Sequence, residues 1–294
     1  MTRYISMPSR TKEILEQYCL KAKKGFGQNF LVDPVIVEKC ASLSHSEGAV
    51  IEIGPGIGSL TEQLARFSKH VLAYEIDENL LPVLKDTLAE YENIEIILQD
   101  FLTIDLDAVA KGLKEEYGSV SVCANLPYYI TTPVLFKIFD CHEIEYITVM
   151  VQKEVGERFA AKPGEAAYSA LSVEGQYLYD IKKLFTVPGR SFNPSPSVDS
   201  VIIQFVRKRI ETNPEELKKH FELIRAMFKQ RRKTVYNNLR EFTNNRELAE
   251  SVLKEAGIAP GKRAQELTVE ELKRICEVLY ERSVLRENQP LSGC

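Results

Sequence analysis

The chain has 294 residues, a net charge of −4 and an apolar fraction of 44%, which suits about two domains with full cores. No run of about 18 apolar residues occurs, so no transmembrane helix is expected, and the opening MTRYISMPSRTKEIL has no apolar signal core, so a mature cytoplasmic protein is expected. The six Cys (19, 40, 123, 141, 276, 294) form no CxxC pair and no zinc spacing; Cys40, Cys123 and Cys276 lie in apolar periodic stretches, so buried free thiols are expected and no metal.

Residues 1–24 are polar and basic, with a short helix expected around Ser9–Leu20. Next comes Lys23-Lys24-Gly25-Phe26-Gly27-Gln28-Asn29-Phe30-Leu31, in which two Gly prevent regular structure and Phe30 and Leu31 can anchor the stretch to a core. Asp33-Pro34 starts a helix with Ile36, Cys40 and Leu43 on one face. Val50–Ile53 reads as a strand, followed by the glycine turn Gly54-Pro55-Gly56-Ile57-Gly58 and a capping box at Ser59–Glu62, with Leu60, Leu64 and Phe67 at helical spacing. Val71–Tyr74 is the next strand. It ends at Glu75, 21 residues after Gly54, an offset at which an acid can hold ribose hydroxyls. The glycine pattern is GxGxG rather than GxGxxG, with Glu52 two residues ahead of it. That fits an S-adenosylmethionine site better than a dinucleotide site, because no pyrophosphate needs the helix N-terminus.

A third strand, Ile94–Leu98, leads to Asp100, placed to accept from an adenine amine. Val120–Ala124 is the fourth strand. It opens onto Asn125-Leu126-Pro127-Tyr128-Tyr129, with Thr131 as the N-cap of a following helix. In open α/β sheets ligands bind at the carboxyl ends of strands. An amide, a rigid Pro and an aromatic ring there suit a planar base with an exocyclic amine, although taken alone the loop fits a plain turn as well. Ile147–Val151 is the fifth strand, followed by Gln152–Phe159 and a loop at Ala161–Gly164 expected to move. Leu184–Val187 and Val201–Val206 are a late pair of strands flanking the Pro-rich loop Phe192–Ser200. Strands alternating with helices imply a parallel, doubly wound sheet.

After about Lys208 only helical patterns remain. One starts at Asn213-Pro214 with Leu217, Phe221, Ile224 and Phe228 on its apolar face, and capping boxes recur at Asn244–Glu247 and Thr268–Glu271. The acidic net charge argues mildly against a nucleic-acid partner, but the distribution argues for one. Arg207–Arg240 holds 11 Lys/Arg against 4 Asp/Glu, and Met1–Phe30 holds 6 against 2. Arg225, Lys229, Arg231, Arg232 and Lys233 are the candidate phosphate contacts; the alternative for any charge run is a solvated face. The expected division is a cofactor-binding catalytic domain over 1–208 and a helical RNA-binding domain over 209–294.

Taken together, KGFGQNFL (24–31), IEIGPGIGSLT (51–61), Glu75, Asp100, NLPYYI (125–130), QKEVGERF (152–159), YSALSV (168–173), FNPSPSVDSVI (192–202) and FKQRRKTVYNNL (228–239) resemble the ribosomal RNA small subunit adenine N6-dimethyltransferase family. They run in order along nearly the whole chain. Phe26 stands where that family usually carries Leu, still an apolar residue. The resemblance implies a Rossmann-like class I methyltransferase sheet with a small C-terminal all-helical domain. It implies that Asn29, Leu31, Gly54, Gly56, Glu75, Asp100 and Asn125 bind S-adenosylmethionine, and that Asn125, Leu126, Pro127 and Tyr128 receive the target adenine. It implies two adjacent adenosines near the 3′ end of 16S rRNA as substrate, a role in small-subunit biogenesis, and no membrane partner. The sequence carries no dimer signal, so a monomer is expected. The competing readings are an Erm-type enzyme acting on 23S rRNA, a non-catalytic assembly factor, and a DNA adenine methyltransferase.

Overall fold

The computed structural model describes residues 3–20, 28–209 and 213–287. Lys23, Lys24 and Phe26 lie outside them. The chain forms two compact units, Met1–Gly156 with Asp180–Arg207, and Glu157–Tyr179 with Lys208–Cys294.

The first unit is built on a seven-stranded sheet. Strands β2 (Ala49–Ile53), β3 (His70–Glu75), β4 (Ile94–Leu98), β5 (Val120–Asn125) and β6 (Tyr146–Gln152) are paired parallel. The expectation of a parallel sheet fails at β9 (Ser200–Arg207), which lies antiparallel to β6 with Met150 opposite Ile202. β7 (Tyr179–Val187) completes the order β4-β3-β2-β5-β6-β9-β7. A two-stranded ribbon pairs β1 (Phe30–Leu31) with β8 (Phe192–Asn193).

Every residue of β2 is buried, whereas edge strand β4 is only partly covered, as burial on two faces requires of a central parallel strand. Helix α2 (Pro34–Ser42) starts where Asp33 caps it, its carboxylate accepting from Ile36 N. The α2 residues Val37 and Cys40 join Leu64 of α3 (Ser59–Phe67), Val50, Val71, Cys123 and Ile202 in one core. Each Val, Leu or Ile side chain among them contributes roughly 1.5–3 kcal/mol on burial. Cys40 and Cys123 are buried thiols with sulfurs 3.9 Å apart, and Cys276 is a buried free thiol too. The neighbouring Cys40 thiol and burial both push the Cys123 thiol up, so it stays protonated. Helix α1 (Pro8–Gln17) sits in a second core, where Ile5 and Ile14 meet Ile57, Leu80 and Leu84.

Several local expectations shift. Gly58, in the left-handed region, caps α3, so Ser59 is its first residue and Glu62 does not close a capping box. The Glu62 carboxylate is buried and accepts from Ile5 N instead, a long-range bond that overrides the local motif. Phe67 and Leu43 are exposed because both stand at helix ends. Helix α6 (Thr131–Asp140) includes Thr131, whose hydroxyl donates back to Pro127 O.

The second unit comprises α8 (Ala170–Leu178), α9 (Pro214–Lys229), α10 (Val235–Thr243), α11 (Arg246–Ala256) and α12 (Val269–Glu287). Leu217, Phe221, Ile224 and Phe228 of α9 are buried as their spacing predicts. The box at Thr268–Glu271 forms, while Asn245 rather than Asn244 caps α11. By compactness the chain leaves the first unit within α7 (Lys153–Ala160), returns after Tyr179 and leaves again after Arg207, so residues 157–179 group with the helices that follow 208. Residues 157–179 go with the helices because their polar groups are satisfied there. Tyr168 Oη donates to Leu267 O at 3.0 Å, Tyr177 Oη meets His220 Nδ1 at 2.9 Å, and Gly164 N donates to Gln265 O at 2.7 Å. That last bond lies in the loop at Ala161–Gly164.

Candidate active site

The strand order turns around at β2, which has β3 on one side and β5 on the other. Crevices at such a point, outside the carboxyl ends of the strands, receive ligands. There the structure has a cavity of about 220 Å³, and all ten residues expected to hold cofactor or target base line it: Asn29, Leu31, Gly54, Gly56, Glu75, Asp100, Asn125, Leu126, Pro127 and Tyr128.

The glycine turn follows β2. Gly54 has φ +70° and Gly56 φ +63°, conformations that L side chains rarely adopt. Nothing lies within 4 Å of where a Cβ on Gly54 would stand, and a Cβ on Gly56 would touch the Phe30 ring at 3.5 Å. So the turn leaves backbone open to a ligand on one side and rests on β1 at the other. Glu75, at the end of β3, braces the turn. Its carboxylate accepts from Gly56 N at 3.3 Å and from Ile76 N and Asp77 N at 2.8 Å each. Burial still pushes the Glu75 carboxyl up, against the pull of those three N–H groups.

Glu52 is the other buried acid in the wall. Burial pushes it up to about 8, the Thr61 hydroxyl pulls it down, and the nearby Glu75 charge adds a rise. Its Oε2 and the Ser59 hydroxyl oxygen have no hydrogen-bond partner among the described residues. Buried groups left open in this way are costly, so they call for a polar partner. Both residues line the cavity. Asp100, after β4, uses Oδ1 to accept from Leu102 N at 2.9 Å, which sets its side chain at the rim of a tight turn.

The Asn125 loop follows β5. Asn125 Nδ2 donates to Asn29 O at 3.4 Å, which leaves the amide oxygen without a partner among the described residues and able to accept from an amine. Leu126 N donates to Met150 O at 3.2 Å and holds the loop to β6. Tyr128 Oη is 3.0 Å from Ser200 Oγ on β9. No group of His, Cys, Asp or Glu among the described residues could hold a metal ion. The site therefore offers acceptors, an aromatic ring and a glycine cradle, which suit positioning rather than strong acid–base work.

Sequence reasoning gave no role to Ile76, Leu102 and Tyr129, which also line the cavity. Ile76 and Tyr129 are 50% and 55% exposed. The available signal was an apolar or aromatic residue within two positions of an expected site residue, beyond a strand end, where no periodicity assigns a side.

In the second unit the five candidate phosphate contacts separate. Arg225 donates to both carboxylate oxygens of buried Glu174, at 2.8 and 2.6 Å. Arg231 donates to Gln265 Oε1 and to the carbonyls of Ala166 and Tyr168. Lys233 pairs with Glu241 at 2.7 Å and holds that carboxyl below its usual range. Lys229 and Arg232 are exposed and make no hydrogen bond or ion pair among the described residues.

The sequence matches the family described as Ribosomal RNA adenine dimethylase over residues 19–281. The chain is 44% identical over 285 residues to proteins of Bacillus mycoides and Bacillus cereus named Ribosomal RNA small subunit methyltransferase A, covering 94% of this chain and 97% of each relative. Among solved structures it is similar to the 23S rRNA methyltransferase ErmE, at 26% identity and TM-score 0.66, over 86% of this chain and 100% of that one. A dimethyladenosine transferase from Plasmodium falciparum shares the fold at TM-score 0.71 and 24% identity, over 86% of this chain and 98% of that one.

Proposed function

The chain belongs to the ribosomal RNA adenine dimethylase family, and from that premise we propose that it uses S-adenosylmethionine to dimethylate N6 of two adjacent adenosines near the 3′ end of 16S rRNA. It is an rRNA adenine dimethyltransferase; the donor, the subunit and the positions are the proposed part. One observation carries the reading: the glycine turn with Glu75 and Asp100, and the Asn125–Tyr128 loop, open into one cavity.

The residues present fit the methyl donor. The open face of Gly54 admits its backbone-hugging part, Glu75 suits ribose hydroxyls, Asp100 suits an adenine amine, and the unpartnered Glu52 oxygen accepts a charged or bridged amine. When bound, S-adenosylmethionine supplies an activated methyl on a sulfonium. The chain's task is then to present the target nitrogen. That nitrogen is a poor nucleophile because its lone pair is delocalised into the ring. The Asn125 side-chain oxygen and the Leu126 carbonyl accept its two hydrogens and favour a pyramidal nitrogen. Tyr128, fixed by Ser200, stacks on the base. Positioning of this kind can supply roughly 7–11 kcal/mol. Unstacking the adenine costs a few kcal/mol, partly returned on Tyr128. No strong base is needed, because the proton becomes acidic once the methyl has moved. The helical unit supplies the phosphate contacts, led by Lys229 and Arg232, and the enzyme acts as a monomer in the cytoplasm during small-subunit assembly.

The relatives at 44% identity carry the small-subunit name, whereas the 23S enzyme shares 26%, which favours the small subunit over the large. Labelled S-adenosylmethionine with under-methylated small subunits, and large subunits in parallel, tests this. Dimethyladenosine in small-subunit RNA alone is expected. Label in large-subunit RNA would move the substrate, and no label in either with donor and RNA still bound would favour an assembly factor.

A further inference from the structure

The two tyrosines that end the Asn125 loop point to different tasks. Tyr128 is engaged with Ser200 on β9. Tyr129 makes no hydrogen bond among the described residues and is 55% exposed, yet it lines the cavity that holds Gly54, Glu75 and Asp100. Partial burial, then the charges of Asp100 and Glu75, push its phenol up, so the ring lies within electrostatic reach of both donor-side carboxylates. Ile76, 50% exposed, lines the same cavity directly after Glu75. Core packing accounts for neither side chain. An exposed ring and an exposed aliphatic at the mouth of a carboxylate-lined cavity form a cover for a flat nucleoside.

We propose that Tyr129 closes over the nucleoside half of the methyl donor and governs exchange of the spent donor between successive transfers. This rests on the dimethylase reading, since two methyls on one nitrogen consume two donor molecules through one site. In each transfer the bond from sulfur to methyl breaks, the bond from methyl to N6 forms, and a proton leaves the nitrogen, so a neutral thioether must depart before the second round. Tyr129 adjoins Tyr128 in the chain. A base stacked on Tyr128 therefore fixes the backbone that carries Tyr129, which links seating of the base to retention of the donor.

The test is calorimetric binding of S-adenosylmethionine and S-adenosylhomocysteine to the full chain without RNA, for the wild type, Tyr129→Ala and Tyr129→Phe. Tyr129→Ala should weaken both ligands roughly tenfold, and Tyr129→Phe should stay within about twofold, because the ring rather than the hydroxyl makes the cover. Thermal melts confirm that both variants fold. Unchanged affinity in Tyr129→Ala overturns the proposal. If Tyr129→Ala loses affinity but the wild type methylates no ribosomal RNA, the dimethylase reading falls and the covering role of Tyr129 stands. If the wild type methylates and affinity does not change, the Tyr129 proposal alone falls.

Discussion

The cavity of the sheet unit and the basic surface of the helical unit use polar side chains in opposite ways. In the cavity, burial is high and hydrogen-bonding capacity is left over: Glu52 Oε2 and Ser59 Oγ have no partner among the described residues. On the helical unit, exposure is high, yet Arg225, Arg231 and Lys233 are spent on Glu174, on the carbonyls of Ala166 and Tyr168, and on Glu241. Unused capacity in a buried wall that faces a cavity suits a polar ligand, because the alternative is a standing cost. Charge on a surface implies little until its partners are known. The comparison thus favours the cavity wall as the place of the proposed chemistry, and within the basic set it favours Lys229 and Arg232 as the proposed phosphate contacts.

The largest expected effect comes from the cavity. Asn125→Ala should lower methyl transfer about 100-fold or more, since a misplaced nucleophile costs that much, with the melting temperature nearly unchanged. Steady-state transfer to small subunits measures the first and calorimetry the second; a large loss of stability would make Asn125 architectural, like the arginines opposite.

Glu52 sharpens the contrast through pH. Its folded-state pKa of about 8 lies above the model-compound value of 4.5. Between those values the unfolded chain has released a proton that the native state keeps, so stability falls as pH rises from the lower value towards the higher. Glu52→Gln should remove that slope and be more stable than the wild type by about a few kcal/mol at alkaline pH, with little difference near about pH 5. Urea unfolding at both pH values checks this, and equal differences at both would show Glu52 ionised in the native state.

Breaking the helical unit's own ion pair comes next. Arg225→Ala removes two hydrogen bonds from Glu174, which is buried at 1% exposure, while the arginine itself is 53% exposed. The loss should be about 2 kcal/mol, below the cost for a fully buried pair because solvent screens the exposed partner. Thermal unfolding reads it, and RNA affinity changes only as far as folding does.

The smallest effect tests Lys229 and Arg232, which make no ion pair among the described residues. Lys229→Glu with Arg232→Glu should weaken RNA binding roughly tenfold and lower the salt slope by about two, with stability unchanged. Filter binding over a salt series measures it. An unchanged slope would return both residues to a solvated face. Arg231 is unsuitable for this test, because replacing it would strand the Ala166 and Tyr168 carbonyls.

Much of the cavity was legible in the sequence. Val50–Ile53, the glycine turn, Glu75, Asp100 and the Asn125 loop are each fixed by local rules: an apolar run makes a buried strand, glycine permits positive φ, and Pro with Asn makes a turn. Once strands alternate with helices, the carboxyl ends of parallel strands gather on one edge, so these residues meet. Local rules failed where a distant partner could outbid them. Glu62 fits a capping box by spacing, but Ile5 N takes its carboxylate.

By itself, then, the sequence determined the sheet's parallel core and the turns that carry Gly54, Gly56 and Asn125, because turn chemistry and periodicity act over a few residues, while the family resemblance supplied the proposed donor and base contacts. The tertiary structure decided the rest: the antiparallel place of β9, the membership of residues 157–179 in the helical unit, which of the basic residues make ion pairs among the described residues, and the separate surroundings of Tyr128 and Tyr129. Each of these depends on which groups far apart in the chain satisfy one another's hydrogen bonds and charges, and that pairing is settled only when the chain has folded.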